Sequence, residues 1–169
     1  HWSLVLCVAG LIVTGNVGGN AMVWHGRLGY AVLTLLLFRV VWGLLGGHWS
    51  RFTSFVYAPS SILAYLRGHG RPEHTVGHNP LGAFSVFALL FILLGQVGSG
   101  LFADDEIAFT GPLAGLVSGD WVGHATRYHK TIGKLILIAL VVLHLGAIAF
   151  YKLIKKQNLV RPMIVGDKT

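Results

Sequence analysis

The residues best equipped for chemistry are the histidines, nine in a chain of 169. Four of them, His1, His25, His129 and His144, lie in or at the ends of apolar segments. An ionisable group is expensive there and marks function by default. His129 and His144 are 15 residues apart on one segment. On an α-helix that leaves them about 60° apart around the axis and about 22 Å apart along it. One helix face therefore offers an imidazole near each membrane surface. His25 reaches the outer level from a second helix, and His1 reaches the inner level from a first. Two pairs result, His25 with His129 and His1 with His144. Zinc or copper gathers three or four donors at one point. Two separated two-His sites suit bis-imidazole axial ligation of haem iron instead, and a large apolar macrocycle belongs inside a helical bundle. The competing reading is four unrelated buried imidazoles, each bonded to a backbone carbonyl.

Other residues fit around these pairs. Arg39 is the charged residue inside the second helix, 14 positions beyond His25, which puts it on roughly the same face at the inner level. A haem propionate is a suitable partner for it, and snorkelling to the inner surface is the alternative. Arg27, Lys130 and Lys134 cluster at the outer rim, as propionate partners or as interface anchors. Gly29 and Gly133 each follow a candidate ligand by four residues, one helical turn on the same face. There a missing side chain lets a flat macrocycle approach, or lets two helices pack closely. His78, in Gly77-His78-Asn79-Pro80, could replace His1, bind a quinone or a propionate together with Asn79, or cap the helix that Pro80 opens. His48, His69 and His74 read as solvated loop residues. His124 lies about 200° around the axis from His144 and reads as a loop residue too. The five tryptophans sit near helix ends, as interfacial Trp does.

The elements that must hold these residues follow from composition. The chain is 54% hydrophobic and 11% charged, with a mean hydropathy of +0.67, against about 25% charged in soluble domains. A bilayer core of about 30 Å takes about 20 apolar residues per helix. Four runs approach that length, giving helices over roughly 1–17, 24–46, 79–102 and 126–155 of a single transmembrane domain spanning 1–169. The expected fold is all-α, an integral membrane four-helix bundle binding two haems b. The sequence opens on His1 without Met, and so reads as part of a longer chain. One cysteine, Cys7, excludes a disulfide framework, a thiolate zinc site and a cysteine-held iron–sulfur cluster. The net charge of +7 reports topology, not nucleic acid. Arg51, Arg67, Arg71, Lys152, Lys155, Lys156, Arg161 and Lys168 all fall on one side, opposite Asp104, Asp105, Glu106 and Asp120. By the positive-inside rule both termini are cytoplasmic.

With these residues in place the sequence resembles the bacterial di-haem cytochrome b family, which includes cytochrome b561-type proteins and the cytochrome b subunits of nickel–iron hydrogenases and formate dehydrogenases. The carriers are His1-Trp2, Thr14-Gly15, His25, Arg39-Val40-Val41-Trp42-Gly43, Arg51-Phe52, Gly77-His78-Asn79-Pro80-Leu81-Gly82, the His129/His144 pair and Asn158-Leu159-Val160-Arg161-Pro162-Met163-Ile164. The resemblance implies two b-type haems in the bacterial inner membrane, ligated by His1, His25, His129 and His144, with electrons passing between a quinone pool and a partner. It departs at one place. Relatives separate the last two histidines by about 14 residues instead of 15, and one extra residue turns the face by about 100°. A bulge or a slight haem rotation would absorb it.

The function expected is electron transfer between quinone and a periplasmic partner, a c-type cytochrome or a redox enzyme subunit, by a carrier and not a bond-making enzyme. Superoxide oxidation coupled to quinone reduction is one alternative, with Arg27, Lys130 and Lys134 steering the anion. A membrane anchor for a hydrogenase or formate dehydrogenase is another. A structural membrane protein whose histidines bind nothing is the third. The acidic Asp104–Glu106 segment is expected to favour a basic patch on the partner.

Overall fold

A computed structural model of the chain describes residues 1–67 and 80–165. Among them the architecture is helical throughout. The order is α1 (Trp2–Val17), α2 (Met22–Leu45), α3 (Pro59–Leu66), α4 (Pro80–Phe102), α5 (Gly119–Arg127), α6 (Lys134–Leu153) and α7 (Arg161–Val165). A π-helical turn, Tyr128–Gly133, joins α5 to α6 without a break, making one helix of 35 residues from Gly119 to Leu153. Three helices are long and apolar enough to cross a membrane, Gly19–Leu45, Pro80–Phe102 and Gly119–Leu153. The fourth member of the bundle, α1, has 16 residues.

Local chemistry sets the helix ends. Gly18 and Gly19 take positive φ, +69° and +53°, in the tight turn that reverses the chain between α1 and α2; side-chain-bearing residues rarely adopt that region. Pro80 starts α4, where its missing N–H costs nothing. Ser118 caps α5 by accepting from the Trp121 N–H, and Asp120 adds a negative charge to the first turn. That cap moves the start of this helix ahead of the 126 expected from hydropathy, so His124 is helical and not in a loop. Average hydropathy, not periodicity, drops over these first turns, which are amphipathic and carry Asp120, His124 and Arg127.

The core lies midway along the bundle. Val32 and Leu36 of α2, Ile92 and Leu93 of α4 and Leu137 of α6 are buried together, with Leu4, Cys7, Val8 and Leu11 of α1 packed against them. Gly10 lets α1 approach Leu28 of α2 closely. Outside this plug the pattern of a soluble protein is inverted. Leu45 and Phe91 are each 81% exposed, a cost in water that vanishes when lipid covers them.

Candidate functional site

Above the core plug the four helices diverge around a cleft of about 310 Å³, lined mostly by apolar side chains from α1, α2, α4 and α6. His25 of α2 and His129 of the π-turn face each other across it, ring centroids 6.0 Å apart and planes at 83°. That spacing lets two imidazoles share one metal ion, given metal–nitrogen bonds of about 2.0–2.1 Å plus the reach from each ring centre to its nitrogen. Backbone carbonyls fix both tautomers. His25 Nδ1 is 3.1 Å from the Leu11 carbonyl oxygen, and His129 Nδ1 is 2.8 Å from that of Gln96. A carbonyl only accepts, so Nδ1 carries the hydrogen on each ring and Nε2 keeps its lone pair for a ligand.

The π-turn accounts for the 15-residue spacing. It takes one extra residue into a single turn, so the angle between His129 and His144 becomes that of a 14-residue spacing, about 40°. Gln96 braces it. Its side-chain amide donates to the His129 carbonyl at 3.1 Å, which also fixes the amide's orientation because that carbonyl cannot donate. Its Oε1 is buried without a hydrogen-bond partner.

The two glycines equivalent in sequence differ in space. Nothing stands within 4 Å of where a side chain would begin at Gly29, which lines the cleft. At Gly133 that space is filled by Gln96 Oε1 and the Tyr128 ring. Gly133 therefore serves the π-turn and its brace, and of the two only Gly29 opens onto the cleft.

The charged residues divide as well. Lys130 and Lys134 line the cleft, as does Asp105. Arg27 instead lies over the Trp24 ring, 4.9 Å from its centroid, on the exposed side of α2. A loop closes the outer end. Phe109 reaches over Gly26, and Thr126 holds Asp104 through its backbone N–H at 3.0 Å. Asp105 Oδ1 accepts from the N–H groups of Ile107, Ala108 and Phe109. Burial alone would raise this carboxyl, but those donors, with Lys130 nearby, hold it below the ordinary carboxylate range. Asp104 accepts from Glu106 N–H and the Thr110 hydroxyl. Two carboxylates expected to face a partner are thus tied into the loop that carries them.

The inner end is built differently. His144 Nδ1 lies 3.2 Å from the Ser85 hydroxyl of α4. His1 is exposed and packs edge-on against Trp2; among the described residues no hydrogen bond or ring contact joins it to His144. Arg39 donates to the Ser50 carbonyl at 3.2 Å and lies over the Phe52 ring, 4.7 Å from its centroid. Phe52 fills the space left by Gly43 and meets Phe87, as does Phe55, each at 5.5 Å between centroids. His78 and Asn79 lie outside the described residues, as do His69 and His74.

Sequence reasoning passed over Gln96, Ser99 and Ser85. Gln96 was visible as the most polar residue in an otherwise apolar span, a signal that by itself points to function in a membrane. Among the described residues no three His, Cys, Asp or Glu side chains gather at one point.

The chain is similar to known proteins over nearly its whole length. The family described as "Prokaryotic cytochrome b561" matches residues 1–166. A protein named "Probable Ni/Fe-hydrogenase B-type cytochrome subunit" from Cupriavidus necator is 25% identical over 202 aligned positions, covering 100% of this chain and 82% of its own. One of the same name from Azotobacter chroococcum is 25% identical, covering 98% and 82%. The "Probable Ni/Fe-hydrogenase 1 B-type cytochrome subunit" of Escherichia coli K12 is 29% identical over 62% of this chain and 56% of its own. No solved structure matches significantly. The chain belongs to the prokaryotic cytochrome b561 family, and is a helical membrane protein of the b-type cytochromes, a class defined by haem b and by electron transfer.

Proposed function

We propose that His25 and His129 are the axial ligands of one haem b in the outer cleft, and that His1 and His144 hold a second at the inner level. The observation that carries this reading is the facing pair of imidazoles, each with Nδ1 tied to a carbonyl, across an apolar cleft. Haem b supplies one-electron redox chemistry when bound. The chain's own residues orient the two rings, exclude water with Phe109 and the core plug, and offer Lys130 and Lys134 as propionate partners. Gly29 leaves room for the macrocycle face. Electrons then pass between the outer and inner levels. Quinone exchanges at the inner level, with His78 and Asn79 as its candidate site by sequence. The names of the relatives favour a hydrogenase-type catalytic subunit as the partner over a c-type cytochrome. By charge the membrane is the bacterial inner membrane and both termini are cytoplasmic.

A pyridine haemochrome assay on the purified protein, followed by addition of a short-chain quinol, tests the reading. Two haems b per chain, both reduced by quinol, are expected. One haem would refute the His1–His144 pair, and a colourless protein would refute the whole proposal.

A further inference from the structure

We propose that α1 and α4 carry the same three-part cradle, made of a carbonyl, a hydroxyl and a glycine, and that it sets the donor strength of the two imidazoles facing the cleft. The inference rests on the reading that His25 and His129 are axial ligands. On α1 the Leu11 carbonyl oxygen lies 3.1 Å from His25 Nδ1, and Thr14 Oγ1 lies 3.2 Å from the same nitrogen. A methyl group at Gly15 would stand 3.0 Å from His25 Cε1 and 3.2 Å from Nδ1. On α4 the Gln96 carbonyl lies 2.8 Å and Ser99 Oγ 3.3 Å from His129 Nδ1. A methyl group at Gly100 would stand 3.0 Å from His129 Cε1 and 3.2 Å from Nδ1. In both helices the hydroxyl is three positions beyond the carbonyl and the glycine four, one turn on a single face.

The hydrogens balance. Thr14 gives its hydroxyl hydrogen to the Gly10 carbonyl at 2.7 Å, and Ser99 gives its own to the Gln96 carbonyl at 3.0 Å. Each hydroxyl oxygen is then free to accept, so two oxygens converge on one Nδ1–H as a bifurcated bond. Two acceptors draw that hydrogen outward and enrich the ring, which strengthens Nε2 as a donor and favours the oxidised iron. Ser and Thr bond back to their own helix routinely. What exceeds that habit is the duplication, the same three positions on two helices of different sequence, each aimed at one histidine. The glycines bring the ring against the helix backbone. A Cβ there would push the ring away by a few tenths of an ångström and lengthen both contacts.

Thr14 and Ser99 are thus positioning residues, acting through the histidines. The test is a potentiometric titration of the purified holoprotein with low-temperature EPR of its ferric state. In Thr14→Val and Ser99→Ala, haem content stays at the wild-type level. The midpoint of the haem that His25→Ala removes rises, so its ferric-to-ferrous ratio at a fixed potential falls by up to about tenfold, about 59 mV for one electron. Thr14→Ser and Ser99→Thr restore the original value. Gly15→Ala and Gly100→Ala alter the g-values by turning a ring. Unchanged midpoints and g-values in all four disruptive variants, with haem retained, would overturn the cradle alone. If a hydroxyl-less variant loses its haem, recovery in its Ser or Thr counterpart supports the cradle, and no recovery overturns it. Full haem content in either His25→Ala or His129→Ala would instead overturn the ligand reading, and the cradle with it.

Discussion

The two ends of the bundle use similar residues and arrive at different structures. At the outer end the helices stand apart, both imidazoles are aimed by carbonyls into a shared cleft, and a tied loop covers the mouth. At the inner end Phe52, Phe55 and Phe87 pack together beneath Arg39, and a hydroxyl holds His144 alone. A site on two long helices is fixed by their packing before any ligand arrives. The difference teaches that sequence symmetry between two histidine pairs does not make the two sites equally preorganised.

The largest expected effect separates the ends through helix phase. Deleting Thr131 turns the π-turn into ordinary α-helix with the histidines 14 positions apart, and the outer haem is retained. Inserting one alanine after Thr131 turns His129 by about 100° and abolishes outer haem binding. Haem stoichiometry reads both, and loss of haem in the deletion variant would break the phase argument.

Next come the paired glycines. Gly133→Ala places a methyl group on Gln96 Oε1 and the Tyr128 ring, overpacking that typically costs about 1–3 kcal/mol. It lowers thermal stability with or without haem. Gly29→Ala meets open space and leaves the haem-free protein as stable as before, or slightly more so, since Ala exceeds Gly in helix propensity by about 1 kcal/mol. It weakens haem retention alone. Equal behaviour of the two variants would show that neither position distinguishes cleft from brace.

These cases also show what was legible in the sequence. The all-α membrane fold follows from four apolar runs and few charges, because a bilayer leaves the backbone little else to form. Position along the apolar runs supplied the His25–His129 pairing, since each residue opens its run at the same end of the bundle. Helix phase failed where the helix is irregular, at the π-turn that carries His129. A π-turn has no propensity signature, and Gly133 looks like Gly29 until Gln96 is seen to occupy its space. Arg27 was expected at the rim with Lys130, and the difference between them is a matter of facing. Trp24, three residues before Arg27 and so about one turn away on the same face, draws the guanidinium over its ring. The Asp104–Glu106 charges were legible, and their use inside the loop was not, because Asx-type bonds depend on a turn that closes only in three dimensions.

The smallest effect concerns that loop. Asp105 titrates below its unfolded value of 3.8. Its contribution to loop order is complete above that value and is lost as pH falls through the lower folded value. Proteolysis of the outer loop in acid therefore rises steeply in the wild type. Asp105→Asn flattens that dependence and leaves the inner end untouched. An identical acid profile in both proteins would remove Asp105 from the account.

The central claim is that one haem is held by His25 and His129 together. Haem stoichiometry of His25→Ala, His129→Ala and the double variant measures it most directly. Each single variant is predicted to lose one and the same haem, identified by its spectrum and midpoint, and the double variant to lose no more. Retention of every haem in either single variant, or loss of two haems in the double variant where each single loses one, would contradict it.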